Sequence, residues 1–291
     1  MLSNQTTPTL QEIREKSQLN FPLVSIITVV FNSGNTLEKT ICSVLNQSYK
    51  NLEYIIIDGG STDNTLDIIH KYQELITYWI SEPDRGIYDA MNKGIKVAKG
   101  EIIGIINSGD FYTDLALEEV VNQYQVHYQN NSCLIFTGTM YRFDPQKEIK
   151  FKLVKTQKSL ENNINQGMPI NHPATFLTRE TYEKIGFFNQ KYRICADYDL
   201  IYRAYHNDSI KFVFIKKELA YMSLGGFSEK FTSLGIRATE HFLIRKEQVG
   251  WLKNLGMSSF WMLEKVLKYL FKKILPKNIM SKYYQLRHGN S

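Results

Sequence analysis

The sequence predicts an α/β fold: a mostly parallel central sheet flanked by helices, followed by a C-terminal helical extension. Three observations lead there. Between residues 23 and 110, short β-branched runs alternate with helical periods, and strand–helix–strand at that spacing means parallel strands joined by right-handed crossovers. The runs "LVSIITVVF", "LEYIIIDGG" and "EIIGIINSGD" are almost continuously apolar rather than alternating, which marks strands covered on both faces. After about Gly226 the β-branched runs stop, and helical periods fill the rest of the chain.

In chain order, residues 1–20 read as a polar extension without a basic-then-apolar leader pattern, with Thr9 and Glu12 spaced as a capping box. Strands are expected at 23–31, 52–60, 77–83 and 101–110, and helices at 36–47, 64–73 and 88–98. A helix at 115–125, a strand at 133–143 and a looser stretch up to 180 follow. The last part holds a helix at 197–207 and strand-like runs at 210–215 and 219–226. No Pro/Gly/Ser-rich linker divides the chain, so 21–228 reads as one domain and 229–291 as a helical region.

At 291 residues the chain can bury one large core or two modest ones. Aromatic content of 13% and charged content of 22% are those of an ordinary soluble globular protein. Cys42, Cys133 and Cys195 are odd in number, far apart and without a CxxC pair, which excludes a disulfide framework or zinc site and fits a reducing cytosol. The formal charge of +6 is concentrated in the tail, where residues 251–291 hold eight Lys/Arg against one Glu. This distribution speaks against a nucleic-acid-binding core and for an anionic surface near the C-terminus. The longest uncharged apolar run, 21–31, is far short of the ~20 residues needed to span a bilayer. In the tail, Leu263, Leu267, Leu270, Phe271 and Ile274 share a helical face, with Lys265, Lys268, Lys272 and Lys273 mostly opposite. Two readings stay open, a membrane-surface helix and a helix packed on the domain with its lysines in water.

Asp58 and Asp110 each end a predicted strand, and C-terminal strand ends border the ligand crevice of an open parallel sheet. The turn after Asp58 does not match GxGxxG, so no dinucleotide fingerprint is present. Asp63 reads as the cap of the next helix. Two carboxylates alone would repel a diphosphate, whereas Mg²⁺ or Mn²⁺ takes one or two carboxylates plus phosphate oxygens and waters. "NSGD", 107–110, therefore reads as a metal site completed by its substrate, the alternative being that Asp110 caps a helix beginning near Asp114.

"VSIITVVFNSGNTLEKTICSVLNQSYKNLEYIIIDGGSTDNT", "SEPDRGIYDAMNKGIKVAKGEIIGIINSGD" and "ADYDLIYR" together resemble the family 2 glycosyltransferases of bacterial surface-polysaccharide synthesis. That resemblance, over about residues 22–228, implies the Rossmann-like GT-A fold. It implies that Val30 to Asn32 edge the nucleotide pocket and that Asp58 receives a base N–H. Asp84, Arg85 and Asn92 would lie along the nucleotide and its diphosphate. Asp110 matches the final, metal-binding aspartate of the family's DxD-like motif, and Ser108 and Gly109, which stand in place of its other acids, would lie at the nucleotide sugar. Asp197 matches the catalytic base, with Ala196 in place of the usual Glu. Asp199, two residues on, reads as structural and in range of Arg203. His172 reads either as an acceptor or phosphate contact or as a plain loop residue, and Gly225, Gly226 and Ser228 as a turn whose N–H groups could face a phosphate.

The activity so implied is an inverting transfer of a sugar from a UDP- or GDP-linked donor to a hydroxyl of a polyprenyl-linked saccharide. The expected cofactor is Mn²⁺ or Mg²⁺, and the expected place is the cytoplasm, peripheral on the inner face of the membrane; a homo-oligomer is compatible and nucleic acid is not an expected partner. Two alternatives stay open. A nucleotidyltransferase would want a basic, glycine-rich loop near the first strand, and "VVFNSGNT" is neither. A non-catalytic nucleotide-sugar-binding or scaffold protein suits the reduced "NSGD" but has no need of Asp197.

Overall fold

The computed structural model describes residues 21–144, 149–224 and 231–274. The expected N-terminal helix and Gly225, Gly226 and Ser228 lie outside the described residues. β1 (Val24–Val30), β2 (Leu52–Asp58), β3 (Tyr78–Ser81) and β4 (Ile102–Asn107) pair in the order β3-β2-β1-β4, all parallel. α1 (Gly34–Leu45), α2 (Thr65–Lys71) and α3 (Ile87–Val97) make the crossovers. Successive residues of a strand face opposite sides, yet Ile26 and Ile27 are both fully buried. One packs with Leu37, Ile41 and Tyr54, the other with Met91, Ile95 and Tyr198. Both faces are covered, as the unbroken apolar runs require.

The second half comprises β5 (Phe111–Tyr112), α4 (Ala116–His127), β6 (Cys133–Asp144), β7 (Ile149–Leu153), α5 (Gln157–Asn163), β8 (Thr175–Thr178), α6 (Arg179–Ile185), α7 (Ala196–Tyr205), β9 (Ile210–Ser223), α8 (Leu234–Arg245) and α9 (Trp251–Ile274). The sheet continues past β4 through β8, β6, β9 and β5. β8 runs antiparallel to β4 and β6, and β9 runs parallel to β6. β8 was hidden in the loose stretch because four buried residues carry no readable period. The two strand-like runs after α7 are one strand, β9, which stays continuous across register shifts against β6 near Gly138 to Met140. Such irregularities bend a strand, and the far end of β9 delivers Ser223 to Asp110.

α8 and α9 form a hairpin held by the buried Arg245, whose guanidinium donates to Asn254 Oδ1 at 3.1 Å, to Ser258 Oγ at 2.7 Å and to the carbonyl of Asn165. α9 docks through Asn254, Ser258 and Trp261, the last packed 4.9 Å from the His241 ring. Leu252 and Phe260 are 75% and 71% exposed, and Leu255, Leu263 and Leu267 are exposed too. The helix is thus packed on the domain through Asn254, Ser258 and Trp261, as the packed reading expects, while its leucines as far as 267 face outward, as the membrane-surface reading expects; the side chains of 268–274 lie outside the described residues.

Candidate functional site

The C-terminal ends of β1 to β4 lie side by side, because Val30 pairs with Asp58, Asp58 with Ser81 and Val29 with Asn107. Asp58 has no exposed surface. Its Oδ2 accepts from the N–H groups of Gly60 and Ser61 at 3.1 and 2.9 Å and from Ser81 Oγ at 2.6 Å, while Oδ1 accepts from Ser61 Oγ at 2.5 Å. Four donors and full burial make Asp58 a builder of the turn, three of the donors on Oδ2 and one on Oδ1. Val30 is likewise buried, and its carbonyl accepts from Gly59 N–H at 2.9 Å. Asn32 adopts φ 47° and accepts from Thr62 N–H at 2.8 Å, which ties the first two loops together. Asp63 accepts from Thr65 N–H at 3.0 Å and from Gly34 N–H at 3.1 Å, so it holds the starts of both α2 and α1.

Phe31, Gly59 and Asp84 meet at this edge, Phe31 exposed, Asp84 half-buried and Gly59 buried. Phe31 is 59% exposed. A Cβ on Gly59 would stand 2.5 Å from Asp84 Oδ2 and 3.4 Å from the Phe31 ring, so only glycine lets the three approach. Asp84 Oδ1 accepts from Gly86 N–H at 2.8 Å; Oδ2 has no hydrogen-bond partner among the described residues. Arg85 is solvent-exposed beside Asp89, 3.5 Å away. Asn92 is buried, and its carboxamide exchanges two hydrogen bonds with the backbone of Phe188, at 2.8 and 3.0 Å. Its expected place along the nucleotide is therefore corrected: it fastens α3 to the loop after α6.

The "NSGD" turn is gripped from three elements. Ser108 N–H donates to Val29 C=O at 3.2 Å, and Gly109 N–H to Thr40 Oγ1 at 3.0 Å. Ser223 Oγ donates to Gly109 C=O at 2.5 Å. Gly109 turns at φ +95°, a region that side chains disfavour. Asp110 Oδ1 accepts from Ser223 N–H at 2.9 Å. It does not cap α4, which starts at Ala116. Burial pushes its carboxyl up to about 7, against the downward pull of the Ser223 N–H and the Arg142 charge. Oδ2 has no hydrogen-bond partner among the described residues. A dry carboxylate with a spare oxygen fits a divalent cation. Among the described residues no group of three or more His, Cys, Asp or Glu could enclose one, so its remaining ligands would be phosphate oxygens and water.

Asp197 stands in the first turn of α7. Its Oδ1 accepts from Tyr198 N–H at 2.8 Å and from the Tyr88 hydroxyl at 3.2 Å. That hydroxyl shares its one proton between Asp197 and the Ile194 carbonyl, the nearer acceptor at 2.5 Å. Tyr88 is on α3, one turn past Asp84 and Arg85, so the Asp84–Arg85 segment and the segment bearing Asp197 are directly joined. His172 and Asp197 line one cavity with Met168, Phe188 and Leu200. Burial holds the His172 ring below its usual range, with the Asp197 charge opposing. Asp199 pairs with Arg203 at 2.9 Å, and Arg203 reaches on to the Phe187 carbonyl at 2.8 Å. Sequence reasoning missed Tyr88, Ser81 and Ser223. It also missed Glu240 of α8, which accepts from the N–H groups of Arg193, Ile194 and Cys195 at 2.7, 3.0 and 2.9 Å. Only the place of Tyr88 within the quoted "GIYDAMNKG" offered a signal.

Comparison with known proteins adds the following. The profile of the family described as glycosyl transferase family 2 matches residues 25–186. An uncharacterised glycosyltransferase of Haemophilus influenzae is 32% identical over 178 residues, 60% of this chain and 69% of the relative. The hyaluronan synthase of Pasteurella multocida is 27% identical over 264 residues, covering 89% of this chain but 26% of that enzyme. Among solved structures, Staphylococcus aureus TarS 1–349 in complex with UDP-GlcNAc has a TM-score of 0.59 at 15% identity, covering 82% of this chain and 71% of that one. The mannosyltransferase PcManGT of Pyrobaculum calidifontis with GDP-Man and Mn²⁺ has a TM-score of 0.55 at 17% identity, covering 83% and 70%. At these identities the likeness shows the GT-A fold.

Proposed function

Because the chain belongs to glycosyl transferase family 2, and is thus a glycosyltransferase, we propose that it moves one sugar from a nucleotide donor to a hydroxyl of a lipid-linked saccharide, with inversion, in surface-polysaccharide synthesis. The observation that carries this reading is the Tyr88 link: the helix that follows Asp84 and Arg85 hydrogen-bonds the one carboxylate among the residues that line the small cavity at His172. The nucleoside would lie over Phe31 and Gly59, with Asp84 Oδ2, rather than Asp58, receiving a base N–H. Structures of the same fold with UDP-GlcNAc and with GDP-Man and Mn²⁺ support a nucleotide-sugar donor and a divalent cation.

Asp110 would hold the cation, Mn²⁺ or Mg²⁺, which when bound neutralises charge on the donor diphosphate. Asp197 takes the proton of the acceptor hydroxyl as that oxygen forms its bond to the anomeric carbon. The bond from that carbon to the diphosphate breaks on the opposite side, and the nucleoside diphosphate leaves with the electron pair. Tyr88 keeps the carboxylate aimed at the cavity, and His172 borders the acceptor side. The outward apolar face of α9, in a tail rich in lysine, supports peripheral attachment to an anionic membrane surface on the cytoplasmic side. Among the described residues no helix is long and apolar enough to cross a membrane.

The test is a screen of UDP- and GDP-sugars for metal-dependent binding, followed by transfer to a polyprenyl-diphosphate saccharide. Asp197→Asn is expected to bind donor normally and to lose transfer by ~10²–10⁴-fold, as removal of a general base does. Turnover like the wild type's in that variant, or retention of anomeric configuration by NMR, would overturn the mechanism.

A further inference from the structure

The start of α7 has no cap from its own sequence, since Cys195 at the N-cap position makes no side-chain hydrogen bond there. The three peptide N–H groups that lead into the helix are all taken by Glu240, 6% exposed on α8: Oε1 accepts from Arg193 at 2.7 Å, and Oε2 from Ile194 at 3.0 Å and Cys195 at 2.9 Å. Burying a carboxylate is costly unless donors surround it, and charge-assisted bonds at the positive end of a helix are the strong kind. The two peptide groups that flank the Ile194 Cα are thus both gripped, the first through the Ile194 N–H by Glu240 of α8 and the second through the Ile194 C=O by Tyr88 of α3. Tyr88 then touches Asp197 itself.

We infer that Glu240 is a positioning residue for Asp197: it fixes the peptides immediately ahead of the first turn of α7, and so sets the place of the carboxylate in the cavity. The inference rests on Asp197 being the base proposed above. It makes the C-terminal helices part of the catalytic apparatus, although Glu240 and Asp197 both lie beyond the residues that match the family profile. A glutamine at 240 has one carbonyl for three donors and must turn an NH₂ toward the others, so the segment would relax. Displacing a reacting group by about 1 Å costs on the order of 10²-fold in rate.

The experiment compares Glu240→Gln, Asp197→Asn, the double variant and the exposed control Glu247→Gln in the full chain. Its readouts are kcat and KM for transfer, nucleoside diphosphate affinity with Mn²⁺ by calorimetry, and the melting temperature. Expected for Glu240→Gln is a kcat lower by roughly 10–10²-fold, with diphosphate affinity and KM within twofold of the wild type. The double variant should be no slower than Asp197→Asn alone, because groups acting as a unit are not additive. Glu240→Asp, which keeps the charge, should recover part of kcat and stands in if Glu240→Gln melts below the assay temperature. An unchanged kcat in Glu240→Gln while Asp197→Asn is inactive would overturn the positioning role and leave the base in place, and so would an effect confined to KM. Transfer surviving in Asp197→Asn would overturn the base assignment, and this inference with it.

Discussion

The proposed nucleotide edge, at Phe31, Gly59 and Asp84, and the proposed base side, at Asp197, are assembled in different ways. At the edge, the side chains that shape the loops bond mostly within a few residues or to the next loop: Asp58 to Gly60 and Ser61, Asp84 to Gly86, Asn32 to Thr62. Around Asp197 the partners are remote, with Tyr88 109 residues away, and Glu240 reaching back 45 residues to Cys195. The first arrangement can form from neighbouring βα loops. The second exists only when α3, α7 and α8 have packed together, so damage to packing should reach Asp197 before it reaches the Phe31–Gly59–Asp84 edge.

The largest effect expected comes from Asp110→Asn, in the "NSGD" turn, which like the Asp197 side is tethered from far along the chain, by Ser223. Losing a charged ligand to the cation should weaken Mn²⁺-supported binding of a nucleoside diphosphate by roughly 10–10²-fold, while the cooperative unfolding transition stays single. Calorimetric titration decides it, and an unchanged, metal-enhanced affinity would break the division of labour drawn above.

Acid should act on the base side through His241. Its ring is buried between Tyr198 and Trp261. Burial, with the charges of Arg245, Arg237 and Lys265, pushes it down to about 3. The unfolded chain takes up a proton near 6.5 and the folded one does not until about 3, so this contribution is complete above pH 6.5 and is lost as the pH falls. The loss should be about 1.4 kcal/mol per pH unit, tenfold in the folding equilibrium. Urea unfolding at a series of pH values should show a shallower slope in His241→Phe, and identical slopes would refute the assignment. The smallest effect expected is at α9: Leu263→Ser should lower partition onto anionic vesicles by roughly fivefold, through the lost apolar contact, without changing diphosphate affinity. Equal co-sedimentation would mean that this face has another use.

Several particular features were legible in the sequence for a common reason. The buried β-branched runs, the strand-end position of "NSGD", the helix start at "ADYD" and the Asp199–Arg203 spacing are set by neighbours within about one turn or one loop, so periodicity and turn chemistry suffice to read them. What only the tertiary structure decided depends on who lies against whom. That Asp58 is buried under four donors, and that Phe188 takes the Asn92 carboxamide, could not be read from the sequence. β8 has too few residues to show a pattern, and it becomes a strand because β4 and β6 flank it. The tail's amphipathic character was visible, but not which face turns inward: that is fixed by the buried Arg245, whose guanidinium draws Asn254 and Ser258 to the domain and leaves the leucines outside. Glu240 carried no signal at all, because a carboxylate on a helix is ordinarily a solvated one, and only burial against three unpaired N–H groups gives it a task.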